Sequence, residues 1–300
     1  MSLGSQPVAK ARSSSSPENQ RVLHFRTWVK CGNHPDRIKH KVSRLAEAKN
    51  HFKVLDCNIS RMNMDRAVCA VSDRIGTGQG GYVCFVNVHT VVTSRKDTRL
   101  REAINQAFLA LPDGRPLSLV AKWRRLQDVE RVTGPDFMPY FLQRSKRTRH
   151  FLLGSTEEIL NRLQKRLEER FPDVGFVGTY APPFGPFDDK ENERIFEMIR
   201  KARPDIVWIG LGAPKQEYWM AGHWKSIKPA ILMGVGAAFD FHAGKISRAP
   251  RWIQALSIEW LYRLLQEPKR LWKRYLVTNT RFLFYMLRDL GEKVFLLRKH

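Results

Sequence analysis

Short apolar segments alternate with longer amphipathic segments through most of this 300-residue chain. The apolar segments are residues 52–55, 82–86, 151–153, 174–177, 206–209 and 230–233, and the amphipathic ones include 156–170 and 188–203. Apolar runs of this length are typical of strands, and the amphipathic spacing is typical of helices. Ser155 or Thr156 before Glu157, and two aspartates from Asp188, are typical of helix starts. Strands that alternate with helices form a mostly parallel sheet covered on both faces, so we predict an α/β, Rossmann-like fold.

The composition changes at both ends of this predicted core. Residues 1–50 contain ten basic and three acidic residues with little apolar periodicity, which predicts a disordered basic N-terminal arm. Residues 241–300 contain thirteen basic and four acidic residues. We therefore predict an α/β core over residues 51–244 and a helical C-terminal appendage over residues 245–300.

The formal net charge of +23 predicts attraction to a polyanion, but it does not distinguish nucleic acid, anionic lipid and phosphate-bearing substrates.

The four cysteines are irregularly spaced without a CxxC pair, so neither a disulfide framework nor a zinc ribbon is indicated, and a reducing cytosolic compartment fits best. No run of 18 or more predominantly apolar residues occurs, so we predict no membrane-spanning segment.

The phosphate-binding and metal-binding motifs that are simplest to identify are absent. Residues 76–81 match GxGxxG, but they precede an apolar run instead of following one, so we interpret them as a helix-to-strand turn. This placement argues against a dinucleotide-dependent oxidoreductase. No GxxxxGK[ST], HExxH or Asp-x-Asp motif occurs, and we expect neither a metal nor another cofactor.

Polar residues follow several of the predicted strands. Asn87 and His89 come at the end of the run 82–86, where they either contact a ligand or serve as satisfied structural groups. Asp113 precedes Gly114, and its carboxylate either holds its own turn or acts as a general base.

Arg131 and Asp136 flank a Gly-Pro turn. This pair is explained either by a surface salt bridge or by a nucleotide-binding loop.

Glycines follow two further runs. Gly210 and Gly212 allow close approach of a ligand, and Pro214 suits the first position of a helix whose N–H groups favour an anion. Lys215 and Gln216 would then face the ligand, although a simple helix start is the alternative. Residues 234–240 repeat the pattern, so we predict one shared cleft at the carboxyl ends of the strands.

The appendage has apolar residues at helical spacing between residues 269 and 290, with arginines and lysines between them. Such a helix either packs on the core or lies on an anionic bilayer, where its arginines also reach phosphates. Tryptophans beside the arginines favour the bilayer.

Five motifs in this order resemble the WecG/TagA/CpsF glycosyltransferases, glycosyltransferase family 26. They occupy residues 112–114, 210–217, 234–240, 248–252 and 259–263. The resemblance implies an inverting, metal-independent enzyme that moves a sugar from a UDP-sugar, UDP-N-acetylmannosamine-like or UDP-hexose, onto a polyprenyl-diphosphate-linked saccharide. It also implies a role in cell-surface polysaccharide synthesis, a peripheral position on the cytoplasmic face of the plasma membrane and a possible homo-oligomer.

The resemblance also assigns roles to individual residues. Asp113 takes the place of the family's proposed base, with Asn87 and Gln216 as further catalytic candidates. The arginines expected to close over the diphosphate are Arg248, Arg251, Arg263 and Arg274. The remaining candidates for substrate binding are His89, Thr90, Gly114, Arg131, Asp136, Gly210, Gly212, Lys215, Glu217, Gly236 and Asp240. Many family members carry Thr-x-Asn where this chain has Phe85-Val-Asn87, so Thr90 or His89 is the substitute. A basic nucleic-acid-binding protein without catalytic activity is the alternative function.

Overall fold

The structure is a computed structural model that describes residues 50–250, 253 and 259–297. Residues 1–49 of the predicted N-terminal arm and Arg251 lie outside these residues, and the side chains of Arg263 and Arg274 lie outside the described part of the chain. The predictions for them therefore stay predictions.

Six parallel strands form the central sheet. They are β3 (Gly81–Val86), β4 (Leu109–Pro112), β5 (Arg149–Gly154), β6 (Gly175–Tyr180), β7 (Ile206–Gly210) and β8 (Ile231–Gly234), in the spatial order β4-β3-β8-β7-β5-β6. Strands β1 (His51–Val54) and β2 (Cys57–Ser60) form a separate antiparallel hairpin. The predicted parallel sheet is confirmed, and ligands of such sheets bind beyond the carboxyl ends of the strands.

Helices cover both faces of the sheet. The helices are α1 (Met64–Gly76), α2 (Val88–Ser94), α3 (Thr98–Asn105), α4 (Arg115–Trp123), α5 (Gly134–Arg144), α6 (Glu157–Arg170), α7 (Asp189–Ala202), α8 (Lys215–His223), α9 (Ala238–His242), α10 (Glu259–Gln266) and α11 (Pro268–Leu297). The side chains of Thr156 and Asp188 cap the first turns of α6 and α7, as the sequence predicts. Residues 76–81 connect α1 to β3, which confirms the predicted helix-to-strand turn.

Two apolar cores lie on opposite faces of the sheet. Along β3, Tyr82, Cys84 and Val86 face one core, whereas Val83 and Phe85 face the other. Because both faces are covered, every residue of β3 is buried, and the strand is a continuous apolar run without polar alternation.

The strand prediction was wrong at two places. Residues 52–55 were expected to form a strand of the parallel sheet, but they overlap β1 of the separate hairpin. Strand β4 was missed because its sequence is short and ends in Pro112, which indicates a turn. A proline is tolerated there because β4 lies at the edge of the sheet and pairs only with β3.

His150 lies fully buried in an aromatic cluster on β5. Its Nδ1 accepts a hydrogen bond from Trp208 Nε1 at 3.1 Å, so its Nε2 carries the proton and donates to Thr148 Oγ1 at 2.6 Å. Burial lowers the pKa of His150 to about 3. The imidazole is therefore neutral and structural.

The described cysteines differ in state. Cys57 and Cys84 are buried free thiols, and burial raises the pKa of Cys57 to about 11. Cys69 is disulfide-bonded. The irregular cysteine spacing did not indicate this bond.

Helix α11 packs against α2. His89 Nδ1 lies 3.5 Å from Thr278 Oγ1, and Arg95 pairs with Asp289 at 3.3 Å and lies over the Tyr285 ring. Helix α11 therefore contacts the core. Both interpretations of this segment, packing on the core and binding to a bilayer, have to include this contact. Among the described residues, none of the helices has the length and apolar character needed to cross a membrane.

Candidate active site

The loops that follow β3, β4, β7 and β8 meet at the carboxyl edge of the sheet. Val86 O accepts a hydrogen bond from Asp113 N at 2.8 Å, and Pro112 O accepts one from Val132 N at 2.9 Å. Gly236 N donates to Ile209 O at 3.1 Å. Backbone contacts therefore join the segment after β4 to β3 and the segment after β8 to β7.

Asn87 and Asp113 are neighbours at this edge. Val86 and Pro112 are aligned partners in the β3–β4 ladder, and Asn87 and Asp113 follow them directly. Asp113 is half-buried, and Gly114 has a φ of +126°, a conformation that favours glycine. The strand pairing thus fixes a carboxylate and an amide at adjacent positions.

Asn87 caps α2. Its Oδ1 accepts hydrogen bonds from Thr90 N at 3.2 Å and from Thr90 Oγ1 at 3.1 Å. Thr90 is buried, so its hydroxyl orients the Asn87 amide from inside the protein. His89 instead lies against α11.

Gln216 and Glu217 are buried behind the same edge, with 4% and 1% of their surfaces exposed. Gln216 Nε2 donates to Gly234 O at 2.7 Å and to Glu217 Oε1 at 3.0 Å. Gln216 Oε1 is buried without a hydrogen-bond partner and faces Gly236, where an added Cβ would lie 3.4 Å away. The amide is thus fixed on one side and has one unsatisfied acceptor.

Lys215 has different surroundings from those the sequence suggests. Its Nζ donates a hydrogen bond to Gly185 O and lies 4.1 Å from the centre of the Phe187 ring, in the loop after β6. Burial lowers the pKa of Lys215. Pro214 was expected at the first helical position, but α8 begins one residue later at Lys215.

Glycines allow close packing at the carboxyl edge. A Cβ on Gly210 would lie 2.5 Å from the Phe239 ring, and Gly212 has a φ of +79°. Gly236 has a φ of +53°. Asp240 lies beyond this turn, where Lys245 Nζ approaches its carboxylate at 3.8 Å. Glycine is therefore required here by packing and backbone conformation.

Four alternating charges form a closed ring beside these loops, which we call the charge ring: Arg131, Asp136, Arg248 and Glu259. Asp136 lies 3.5 Å from Arg131 and 2.6 Å from Arg248, and Glu259 lies 3.4 Å and 3.6 Å from the same two arginines. Thr133 Oγ1 donates to Asp136 Oδ2 at 2.7 Å and caps α5.

The charge ring joins the core to the C-terminal helices. Gly134, at the start of α5, packs so closely on β8 that an added Cβ would lie 3.1 Å from Val235 O. Glu259 is the first residue of α10. No role was predicted for Glu259 from the sequence; its position as an acid in a basic segment is the signal that indicates a partner.

The described residues contain no group of three or more His, Cys, Asp and Glu side chains suited to a metal ion. The sheet and the groups at its carboxyl edge define a Rossmann-like α/β protein with polar side chains at the edge where ligands of such sheets bind.

Within this class, residues 52–294 match the model of the glycosyl transferase WecG/TagA/CpsF family. The chain belongs to this family, as its five ordered motifs indicate.

Curated relatives from Staphylococcus aureus strains MW2, NCTC 8325 and COL are named N-acetylglucosaminyldiphosphoundecaprenol N-acetyl-beta-D-mannosaminyltransferase. Each is 33% identical to this chain over 174 residues, which is 57% of this chain. The match spans 66% of the length of each relative, slightly less than two thirds.

Proposed function

We propose that this protein is an inverting, metal-independent glycosyltransferase. Its donor is a UDP-sugar of the N-acetylmannosamine type, and its acceptor is a saccharide linked to a polyprenyl diphosphate. The acceptor class is supported by the names of the relatives, which act on an N-acetylglucosaminyl diphosphoundecaprenol. The observation that carries the proposal is the adjacent placement of Asp113 and Asn87 beside the charge ring at the carboxyl edge.

In the proposed reaction, Asp113 is the general base. Its carboxylate removes the proton from the acceptor hydroxyl while that oxygen attacks the anomeric carbon of the donor. The bond from the anomeric carbon to the diphosphate breaks, and its electron pair leaves with UDP. A single displacement of this kind inverts the configuration at the anomeric carbon.

The leaving diphosphate gains negative charge in the transition state. Arg131 and Arg248 are the two cations of the charge ring beside this edge, and guanidinium groups bind phosphate oxygens through two parallel hydrogen bonds. In this proposal they stabilise the diphosphate, a role for which the chemistry of the site needs no metal ion.

Amide groups position the sugar in this mechanism. Because Asn87 Oδ1 is used in capping α2, its Nδ2 is the group that donates to the substrate. Gln216 holds the turn at Gly234 and offers Oε1 to a ligand hydroxyl. Both groups are held by hydrogen bonds before the substrate binds, which lowers the entropic cost of alignment.

The C-terminal helices are the proposed membrane-binding element. Apolar side chains on α10 and α11 are exposed although helix α11 packs on α2. These side chains are Trp260, Leu261, Leu265, Trp272, Leu276, Val277, Leu283, Phe284 and Leu287. An apolar helix surface in a segment rich in arginine and lysine suits an anionic interface. We place the protein peripherally on the cytoplasmic face of the plasma membrane.

The test is an assay of the full chain with a panel of UDP-sugars and a lipid-linked GlcNAc diphosphate acceptor. We expect one donor to give a product heavier by a single sugar, with inverted anomeric configuration by NMR and undiminished yield in EDTA. Retention of configuration contradicts the single displacement. Loss of yield in EDTA contradicts metal independence. No transfer from any donor, together with nucleic-acid affinity that falls steeply with salt, favours the binding-protein alternative.

A further inference from the structure

The two carboxylates of the charge ring are held with unequal strength. Asp136 lies 2.6 Å from Arg248 and accepts a hydrogen bond from Thr133 Oγ1 at 2.7 Å. Both contacts of Glu259 are long, at 3.4 Å to Arg131 and 3.6 Å to Arg248. Glu259 is therefore the more weakly held of the two acids.

Arg248 has unused hydrogen-bonding capacity. Its Nε and Nη2 atoms are buried and form ion pairs, but neither atom makes a hydrogen bond. A buried guanidinium donor without a hydrogen bond is costly, and a phosphate oxygen in the place of Glu259 Oε1 can satisfy Nε while Nη2 keeps its ion pair with Asp136. The geometry thus favours an exchange of the anion at Arg248.

Glu259 also bridges two arginines in the way a phosphate group does. Its Oε1 faces Arg248, and its Oε2 faces Arg131. The four side chains of the ring are between 19% and 32% exposed, so an anion from solvent can reach them. Glu259 is the first residue of α10, whereas Arg131 lies between α4 and α5, so displacement of the acid breaks a contact between α10 and the core.

We propose that Glu259 is an internal counter-anion that occupies the place of a diphosphate group between Arg131 and Arg248, and that the diphosphate of a substrate displaces it. Asp136 stays in place and orients Arg248. The inference rests on the proposed function for the identity of the anion. It adds that the site is preformed but occupied by its own carboxylate, so that diphosphate binding and the attachment of α10 compete.

The test compares wild type, Glu259→Gln and Glu193→Gln by calorimetric titration with inorganic pyrophosphate. Glu193 pairs with a single arginine, Arg200 at 2.8 Å, and serves as the control for loss of one negative charge. Glu259→Gln keeps the size of the side chain but removes the competing charge, so we expect pyrophosphate affinity to rise by roughly three- to tenfold. Unchanged or weaker affinity in Glu259→Gln overturns the proposal, as does a rise of the same size in Glu193→Gln.

A measurement on the wild-type protein keeps the proposal testable if Glu259→Gln does not fold. Trp260 follows Glu259 directly and is partly exposed, so displacement of the acid changes its surroundings. We expect pyrophosphate to change the tryptophan fluorescence of wild type, with a smaller change in Trp260→Phe. Saturable binding with an identical change in both proteins contradicts the displacement.

Further titrations identify the source of the diphosphate. If the site takes the donor, Glu259→Gln gains affinity for UDP; if it takes the acceptor, the gain is for farnesyl diphosphate, a short soluble prenyl diphosphate. A gain for neither overturns the inference. These titrations need no turnover, so a failure of the proposed transferase activity appears separately, as binding without sugar transfer.

Discussion

The carboxyl edge of the sheet and the C-terminal helices are built in different ways. At the carboxyl edge, backbone hydrogen bonds such as Asp113 N to Val86 O fix the loops, and glycines such as Gly154 and Gly210 pack without room for a side chain. Helices α10 and α11 are attached through side chains: the charge ring, the Arg95–Asp289 pair and the packing of Phe282, Tyr285 and Met286 against the core.

This difference has an energetic consequence. Partly exposed ion pairs typically contribute about 0–1 kcal/mol each, whereas disruption of a close-packed core contact costs several times more. The carboxyl edge is therefore suited to hold reacting groups in fixed positions. The C-terminal helices are suited to adjust when a ligand or a membrane binds.

The largest expected effect is on turnover, at the carboxyl edge. Asp113→Asn removes the proposed base, so kcat should fall by roughly 10²- to 10⁴-fold while UDP affinity stays nearly unchanged. Steady-state assays and calorimetric titration with UDP measure the two quantities. Asp173→Asn, at an exposed carboxylate paired with Lys146, is the control and should keep full activity. Wild-type turnover in Asp113→Asn would remove Asp113 from the role of base.

The second effect is on stability. In Gly154→Ala the new Cβ would lie 2.7 Å from Gly210 C, at a φ of +118° that disfavours alanine. We expect a loss of about 3 kcal/mol in the free energy of unfolding. Gly222→Ala is the matched control, because nothing lies within 4 Å of its added Cβ in α8, and it should gain about 0.5–1 kcal/mol. Urea unfolding measures both changes in free energy. Equal changes in the two variants would contradict the expected difference in packing between the two glycines.

The third effect is acid sensitivity of the core. Because burial lowers the pKa of His150 to about 3, the unfolded chain binds a proton between about pH 6.5 and 3 that the folded protein does not. Neutral His150 therefore contributes fully to the free energy of unfolding above about pH 6.5. This contribution decreases as the pH falls, by about 2 kcal/mol at pH 5. When the free energy of unfolding is measured above pH 6.5 and at pH 5, it should decrease less in His150→Gln than in wild type. Equal losses would assign the acid sensitivity to other groups.

The smallest expected effect belongs to the C-terminal helices. Trp272→Ala and Phe284→Ala remove side chains that are 54% and 61% exposed, so stability should change little. Binding to vesicles containing anionic lipid should weaken by roughly tenfold for each, since a large apolar side chain is lost from the interface. Asn279→Ala, at an exposed polar position of α11, is the control in the same sedimentation assay. Unchanged vesicle binding in both apolar variants would argue that α11 serves only to pack on α2.

Much of the fold could be predicted because its signals are local. The period of apolar residues indicated five of the six strands of the sheet, and Thr156 and Asp188 indicated two helix starts. Strand β4 and the β1–β2 hairpin were missed, because short strands carry little periodicity and their pairing depends on distant residues. The disulfide at Cys69 had no signal in the spacing.

The candidate site also contains some features that the sequence indicated and others that it did not. The sequence indicated that Asp113, Asn87 and Gln216 follow strands, and parallel strands bring such residues to one edge. It did not indicate that Lys215 contacts the loop at Gly185 or that Glu217 is buried. Those positions depend on how α8 packs, which local pattern does not specify.

By itself, the sequence determined the α/β alternation, the helix caps, the family and the polar groups at the ends of the strands, because each of these is set by residues close together in the chain. Only the tertiary structure decided which charges meet. Arg131 and Glu259 are 128 positions apart, and their contact exists because the fold brings the loop between α4 and α5 to the start of α10. Long-range packing of this kind placed Glu259 between two arginines.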